Sequence, residues 1–243
     1  GPLSRITFEG KRNLRATWSL DGQSLMFVSN RAGSRVGTQN LWTTPADGSG
    51  TAEPVQEQEA QIWEGLLSLD GTWLVFREGQ TASADIYAIR PGVDSEAVPL
   101  VVTESSERSI ALSPDGRWLA YVSNRSERDE VYVQPFPDGG SLVQVSIEGG
   151  VEPVWAHRGR ELFYRNGSNE LVAVDFTDDP TFEVVGQQVL FSMADYLISN
   201  GRPMYDVSPD DQRFVMLRID AVEDTELIWV ENWAEELRER VPN

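Results

Sequence analysis

The chain has 243 residues, with 39 acids against 20 bases, and its net charge of −19 sets aside nucleic acid and anionic bilayers as partners, since both need local positive charge. It contains no cysteine, which removes disulfides, thiol nucleophiles and Cys-ligated zinc. No apolar run approaches the roughly 18 residues of a membrane span, so direct membrane insertion is not expected of it.

Gly1-Pro2-Leu3-Ser4 reads as the remnant of a cleaved tag, which would place any targeting segment upstream of it. Arg5 to Phe8 is a short β-prone segment standing before the first of five copies of one pattern. In the first copy, Ala16-Thr17-Trp18-Ser19-Leu20-Asp21-Gly22 leads into Leu25 to Val28 and closes on Ser29-Asn30-Arg31. The second copy runs from Gly65 through Asp70-Gly71 into Trp73 to Phe76. The third, Ile110 to Arg125, is the fullest: Ser113-Pro114-Asp115-Gly116 joins two apolar arms and the same Ser-Asn-Arg follows. Proline presets φ at the first central turn position and glycine accepts left-handed geometry, so the copy spells a β-hairpin. Its second arm is apolar at even and odd positions alike, which requires cover on both faces.

The fourth copy departs from the pattern at Ala156-His157-Arg158-Gly159, and the fifth, Tyr205 to Leu217, replaces the turn glycine with Asp211. A third apolar segment follows the second arm in every copy, and a fourth follows in most, as at Val98 to Val102 and Phe182 to Phe191. The turn recurs every 43 to 52 residues. Four strands at that period define one propeller blade.

The expected fold is therefore all-β: a β-propeller of five four-stranded antiparallel blades over residues 5–231, or a part of a propeller of six or more. Arg5 to Phe8 is expected to close it by pairing with Leu227 to Val230, since a three-stranded last blade would leave an apolar edge unpaired. From Asn232 the period changes to that of a helix over 232–243, with Glu235 at the capping-box position and Trp233, Leu237 and Val241 on one face.

Ser113 to Arg125 resembles the PD40, or TolB-like, β-propeller repeat, and the resemblance covers nearly the whole chain. Val133-Gln134-Pro135-Phe136-Pro137-Asp138-Gly139-Gly140, Glu152 to Trp155, Gly159 to Arg165 and Asn232-Trp233 resemble the C-terminal propellers of bacterial proteins that often carry an N-terminal Ser/Thr kinase domain. What this implies is a non-enzymatic binding or sensor module at the end of a receptor-like kinase, working outside the cytoplasm; the alternative location is cytoplasmic. Propellers of this repeat class also gate serine peptidases of the prolyl oligopeptidase type, which is the alternative function.

Chemistry is sparse. His157, the sole histidine, occupies a turn, and no Gly-x-Ser-x-Gly elbow presents a nucleophile, so no catalytic residue is assigned. The repeated aspartates Asp21, Asp70, Asp115 and Asp210 have a structural role in their turns. Ca²⁺ would suit the acidity, but no Asp-x-Asp-x-Asp-Gly loop is present, and no cofactor or metal ligand is named. Trp18, Trp73, Trp118 and Trp155 recur at blade positions and read as core. Binding is expected on the face of the strand two-to-three loops and the links between blades, where variable segments sit on a rigid scaffold. Trp63, Arg108, Tyr196 and Arg202 are the candidate contacts there, for a protein or small-molecule ligand held by a monomer. The link from Ala194 to Pro203 is expected to fold over that face.

Overall fold

A computed structural model describes residues 5–19, 21–31, 38–56, 60–80, 83–158, 160–179, 181–199, 201–219 and 225–230. The tag remnant and the expected C-terminal helix lie outside them. The chain divides into two compact units, residues 1–110 and 111–243.

The first unit holds two antiparallel sheets. One is β1 (Asn13–Trp18), β2 (Ser24–Ser29), β3 (Asn40–Pro45) and β4 (Glu53–Gln56), and the other β5 (Ile62–Leu67), β6 (Leu74–Gln80), β7 (Ser83–Ile89) and β8 (Val98–Val101), each paired in chain order. Met26, Val28 and Leu41 of the first pack on Ile62, Leu74 and Phe76 of the second, all buried. The next sheet is β9 (Glu107–Leu112), β10 (Trp118–Ser123), β11 (Glu130–Pro135) and β12 (Val143–Gln144), and the boundary between units falls inside β9. The second unit continues with β13 (Gly150–Trp155), β14 (Glu161–Asn166), β15 (Glu170–Thr177) and β16 (Glu183–Ser192), then with three strands, β17 (Tyr205–Val207), β18 (Phe214–Ile219) and β19 (Thr225–Val230). All six residues of β10 are buried, as its two-sided apolar sequence requires.

The hairpin turns have one construction. Ser113 Oγ donates to Asp115 Oδ1 at 2.6 Å and accepts from Trp118 N at 3.0 Å, while Gly116 takes φ 68°. Ser19, Ser68 and Ser208 repeat the first contact with Asp21, Asp70 and Asp210. The two irregular copies complete each other: Asp211, at φ 59°, offers its carboxylate to the backbone N–H groups of His157 and Arg158, both at 2.7 Å. The fourth turn thus borrows its aspartate from the fifth.

Two expectations fail. Arg5 to Phe8 forms no strand, and the last sheet has three strands among the described residues. The segment after it is held beside the first sheet, because Asn30 Oδ1 accepts from the backbone of Lys11 and Arg12 and Asn13 Nδ2 donates to Glu9 O. Ile6 and Phe8 line a small cleft with Arg31 and Thr44, leaving Phe8 71% exposed. The tryptophans also divide: Trp118 and Trp155 are buried, whereas Trp18 is 67% exposed. Trp155 is covered by Phe176 and Phe182 of the long β15–β16 hairpin, which the four-residue β4 does not match.

Candidate functional site

Copies two and four each bury a carboxylate on their first strand and an arginine thirteen residues later on their second. In the second unit, Glu152 and Arg165 are fully buried and meet at 3.0 Å (Arg165 Nε to Glu152 Oε2). In the first unit, Glu64 meets Arg77 at 3.5 Å, and it also accepts from Arg15 Nη1 at 2.9 Å and Ser109 N at 3.0 Å. Glu64 thereby holds residues 15 and 109 of the first unit.

The Glu152–Arg165 pair extends its hold to the link after β16. Ser199 N donates to Glu152 Oε1 at 3.0 Å, Arg165 Nη2 donates to Leu197 O at 2.6 Å, and Arg165 Nη1 reaches Asn169 Oδ1 at 2.8 Å. Buried ions persist only where every donor and lone pair is engaged, so this network fixes the path of the link. Burial pushes the Glu152 carboxyl above its ordinary range, outweighing Ser199 N–H and the Arg165 charge. A second buried acid, Glu130, holds the link between β12 and β13: it accepts from Ser146 Oγ at 2.5 Å and Gly149 N at 2.9 Å.

Above these two acids, at the loop ends of β11 to β15, lies a cleft of ≈ 570 Å³. Arg128 and Asp129 of one strand two-to-three loop, Asn166 and Asn169 of the next, the Glu148–Gly150 link and Ile198 form its walls. Gly167 lets two of these backbones touch: its N–H donates to Gly149 O at 3.2 Å, and a Cβ there would sit 2.3 Å from Glu148 O. Glu148 and Asn169 hold φ of 68° and 66° around the rim, strain that the buried network supports. Ile198 projects from the link, 54% exposed. A volume within the usual range of ligand pockets, with fixed polar groups and one apolar rim residue, suits non-covalent binding.

The four sequence candidates separate. Tyr196 lies on this face, half-buried, bridging Arg218 and giving its carbonyl to Arg165 Nη1. Arg202 follows on the same link and is exposed. Trp63 and Arg108 belong to the first unit. Trp63 sits at a bulge in β5, half-buried, with its Nε1 donating to Gly79 O at 2.9 Å and the Arg77 guanidinium 5.8 Å over its ring, so it braces the Glu64–Arg77 pair rather than standing as a free contact. Arg108 lies near the same arginine, whose charge it disfavours. Sequence reasoning did not select Glu152, Arg165, Glu130 or Ile198; the signal available was the shared thirteen-residue Glu-to-Arg offset in copies two and four. Among the described residues, no group of three or more His, Asp or Glu is placed to hold a metal ion, and no helix is long and apolar enough to cross a membrane.

Antiparallel sheets in sequence order, packed face on face within each unit and marked by the repeated Ser-to-Asp turn, are the blades of a β-propeller. No family model matches the sequence, and no curated protein matches it. In three dimensions the chain is similar to TolB from Acinetobacter baumannii, with TM-score 0.67 and 14% identity over 91% of this chain and 52% of that one. The putative TolB from Agrobacterium tumefaciens gives 0.66 and 18% over 94% and 78%, and a Mycobacterium tuberculosis puromycin-hydrolyzing peptidase 0.63 and 18% over 94% and 38%. The chain spans about half the length of the Acinetobacter protein, at 52%. The fold is that of a TolB-like β-propeller.

Proposed function

We propose that this chain is a non-enzymatic recognition propeller whose five sheets are five blades and whose loop-face cleft binds a small-molecule or peptide ligand. The observation that carries the reading is the cleft itself, whose two bounding links are each anchored on a buried carboxylate, Glu130 and Glu152. Ordering the loops in advance lowers the entropy cost of binding. The resemblance of Val133 to Gly140 and Gly159 to Arg165 to kinase-associated propellers supports a place at the C-terminus of a larger bacterial protein, a receptor-like Ser/Thr kinase. Together with the TolB likeness it supports a site of action outside the cytoplasm.

A thermal-shift screen of peptides and metabolites, with each hit mapped by hydrogen exchange, tests the binding site. Hits should protect residues 128–129, 148–150 and 166–169, and Ile198→Asp should weaken them about tenfold, the scale of 1.4 kcal/mol lost from one contact. Hits that protect only the turns at the other ends of the strands, or that ignore Ile198→Asp, refute the assignment. A second reading, a gating propeller in a serine peptidase, is favoured by one observation: the peptidase match places 94% of this chain on 38% of that one, as a module within a larger enzyme. Peptide hydrolysis by the full-length gene product would favour it over the kinase-linked reading.

A further inference from the structure

The hairpin turns at the other ends of the same strands form a second cleft, of ≈ 220 Å³, within the second unit. Basic side chains gather around it, with three acids, Asp115, Asp178 and Asp211, beside them. A chain with 39 acids, 20 bases and one histidine places Arg117, Arg158, Arg160 and that histidine, His157, around this one cleft. These acids are already engaged, Asp211 with the backbone N–H groups of His157 and Arg158, both at 2.7 Å. Asp178, 7% exposed, bridges Arg117 Nη2 and Arg160 Nη1, the latter at 3.1 Å. Asp115 accepts from Ser113 Oγ and Arg117 Nε, the latter at 2.7 Å. Each guanidinium has five N–H donors in a planar fork. These bonds use two on Arg117 and one on Arg160, and they hold both forks in place.

An independent observation comes from the wall of the cleft. Trp118 is 8% exposed, and its indole Nε1 is buried with no hydrogen-bond partner among the described residues. The neighbouring Trp155 Nε1, by contrast, donates to Ala111 O at 3.1 Å. An orphaned buried donor is costly, and an acceptor at that point removes the cost. The Arg117 and Arg160 forks held on Asp178, and an unsatisfied N–H on a residue that lines the same cleft, ask for the same chemistry, a compact group made of acceptors with negative charge.

We propose that this turn-face cleft is an oxyanion site that takes the carboxylate or phosphate group of a small ligand, between Arg158 and Arg160 and against Trp118. At ~30 Å³ for each water-sized group, the cavity holds about seven non-hydrogen atoms, enough for a headgroup and little more.

The test is a ¹H–¹⁵N titration of the full chain with inorganic phosphate and with acetate at fixed ionic strength, using chloride as control and assigning the Trp118 indole signal with Trp118→Phe. A saturable displacement of that signal by phosphate or acetate, but not by chloride, is the expected result, and the tighter of the two names the source of the oxyanion. Arg158→Ala and Arg160→Ala should each raise the dissociation constant about fivefold, as expected for loss of one charge-assisted contact. Calorimetry on the same proteins reads the affinity independently of the indole. An equal response to chloride, no saturable response to either oxyanion, or unchanged affinity in the double arginine variant overturns the proposal.

Discussion

Arg165→Met removes the guanidinium from a pair in which both side chains are 0% exposed and leaves the Glu152 carboxylate buried. Removing one partner of a buried pair costs about 3–5 kcal/mol, a large part of a total near 5–15 kcal/mol. With an m value of about 3 kcal/mol per M, the urea midpoint, followed by tryptophan fluorescence, should fall by about 1–1.7 M. The two single variants should differ in their pH dependence. In Arg165→Met the Glu152 carboxyl, already raised by burial, rises further for lack of its cation. Its folded pKa then exceeds the unfolded value of about 4.3, so the native state favours the protonated form. Its contribution is fully present below that unfolded value and is lost as pH rises, by up to about 1.4 kcal/mol per unit, until the folded pKa is passed. The deficit against wild type should therefore shrink on acidification from about pH 8 to about pH 5. Glu152→Gln strands a permanently charged arginine and has no carboxyl to titrate, so its deficit should not shrink on acidification. Glu152→Leu with Arg165→Met should be milder than either single change. A pH-independent Arg165→Met deficit, or a double variant that sums the two singles, refutes the reasoning. Arg77→Met should be a weaker version, because Arg15 also faces Glu64 at 2.9 Å.

Trp63→Ala should cost about 2 kcal/mol, short of the 3–5 of a fully buried ring, and lower the thermal midpoint by about 4–8 °C. The exposed Arg202→Ala should move it by no more than about a degree or two, and equal shifts would reverse their assigned places. Asp70 is held down at about 2, first by the Ser68 hydroxyl and then by Thr72 N–H and the Thr72 hydroxyl. A depressed folded pKa gives stability that is present above the unfolded value of about 3.9 and lost as pH falls toward 2, so Asp70→Asn should flatten the fall in melting temperature between those limits; an unaltered acid limb would contradict this.

The sequence made the blades legible because each hairpin is built from contacts no more than five residues apart. Ser113, Asp115 and Gly116 specify their turn wherever the hairpin sits, and the alternation of apolar and covered positions does the same for β10. Closure was misread because it depends on contacts far apart in the chain. Arg5 to Phe8 has strand composition, yet Asn30 takes the backbone of Lys11 and Arg12 and holds the chain entering β1 beside the first sheet. Trp18 fills the same repeat position as Trp155 and is nonetheless exposed, because cover is supplied by another strand's length. The loop-face cleft is lined by a link and the strand two-to-three loops, the segments on which binding is expected from the sequence. Its supports were not legible, since Glu152 and Arg165 look like ordinary strand residues until both are buried.

The loop ends of the blades are secured in two ways, and the choice follows the copy. In copies one and three the arginine of Ser-Asn-Arg stays within its own blade: Arg31 lies 4.9 Å over Phe27 and 5.1 Å over Trp42, and Arg125 lies 5.6 Å over Tyr121 and 4.9 Å over Tyr132. Ser29 and Ser123 each accept from that arginine's backbone N–H and Nε, at the same 3.3 and 3.2 Å. In copies two and four the arginine comes one residue before the Ser-Asn-Arg serine position, where copies one and three have Val28 and Val122, and it turns to a carboxylate on the first strand. Copy four sends its arginine's remaining donors to Asn169 and to the carbonyls of the following link. A cleft bordered by the third sheet on one side and the fourth on the other thus has one link anchored on Glu130 and one whose anchors include a buried ion pair. Changes to that pair should alter the shape of the cleft before they unfold the blade.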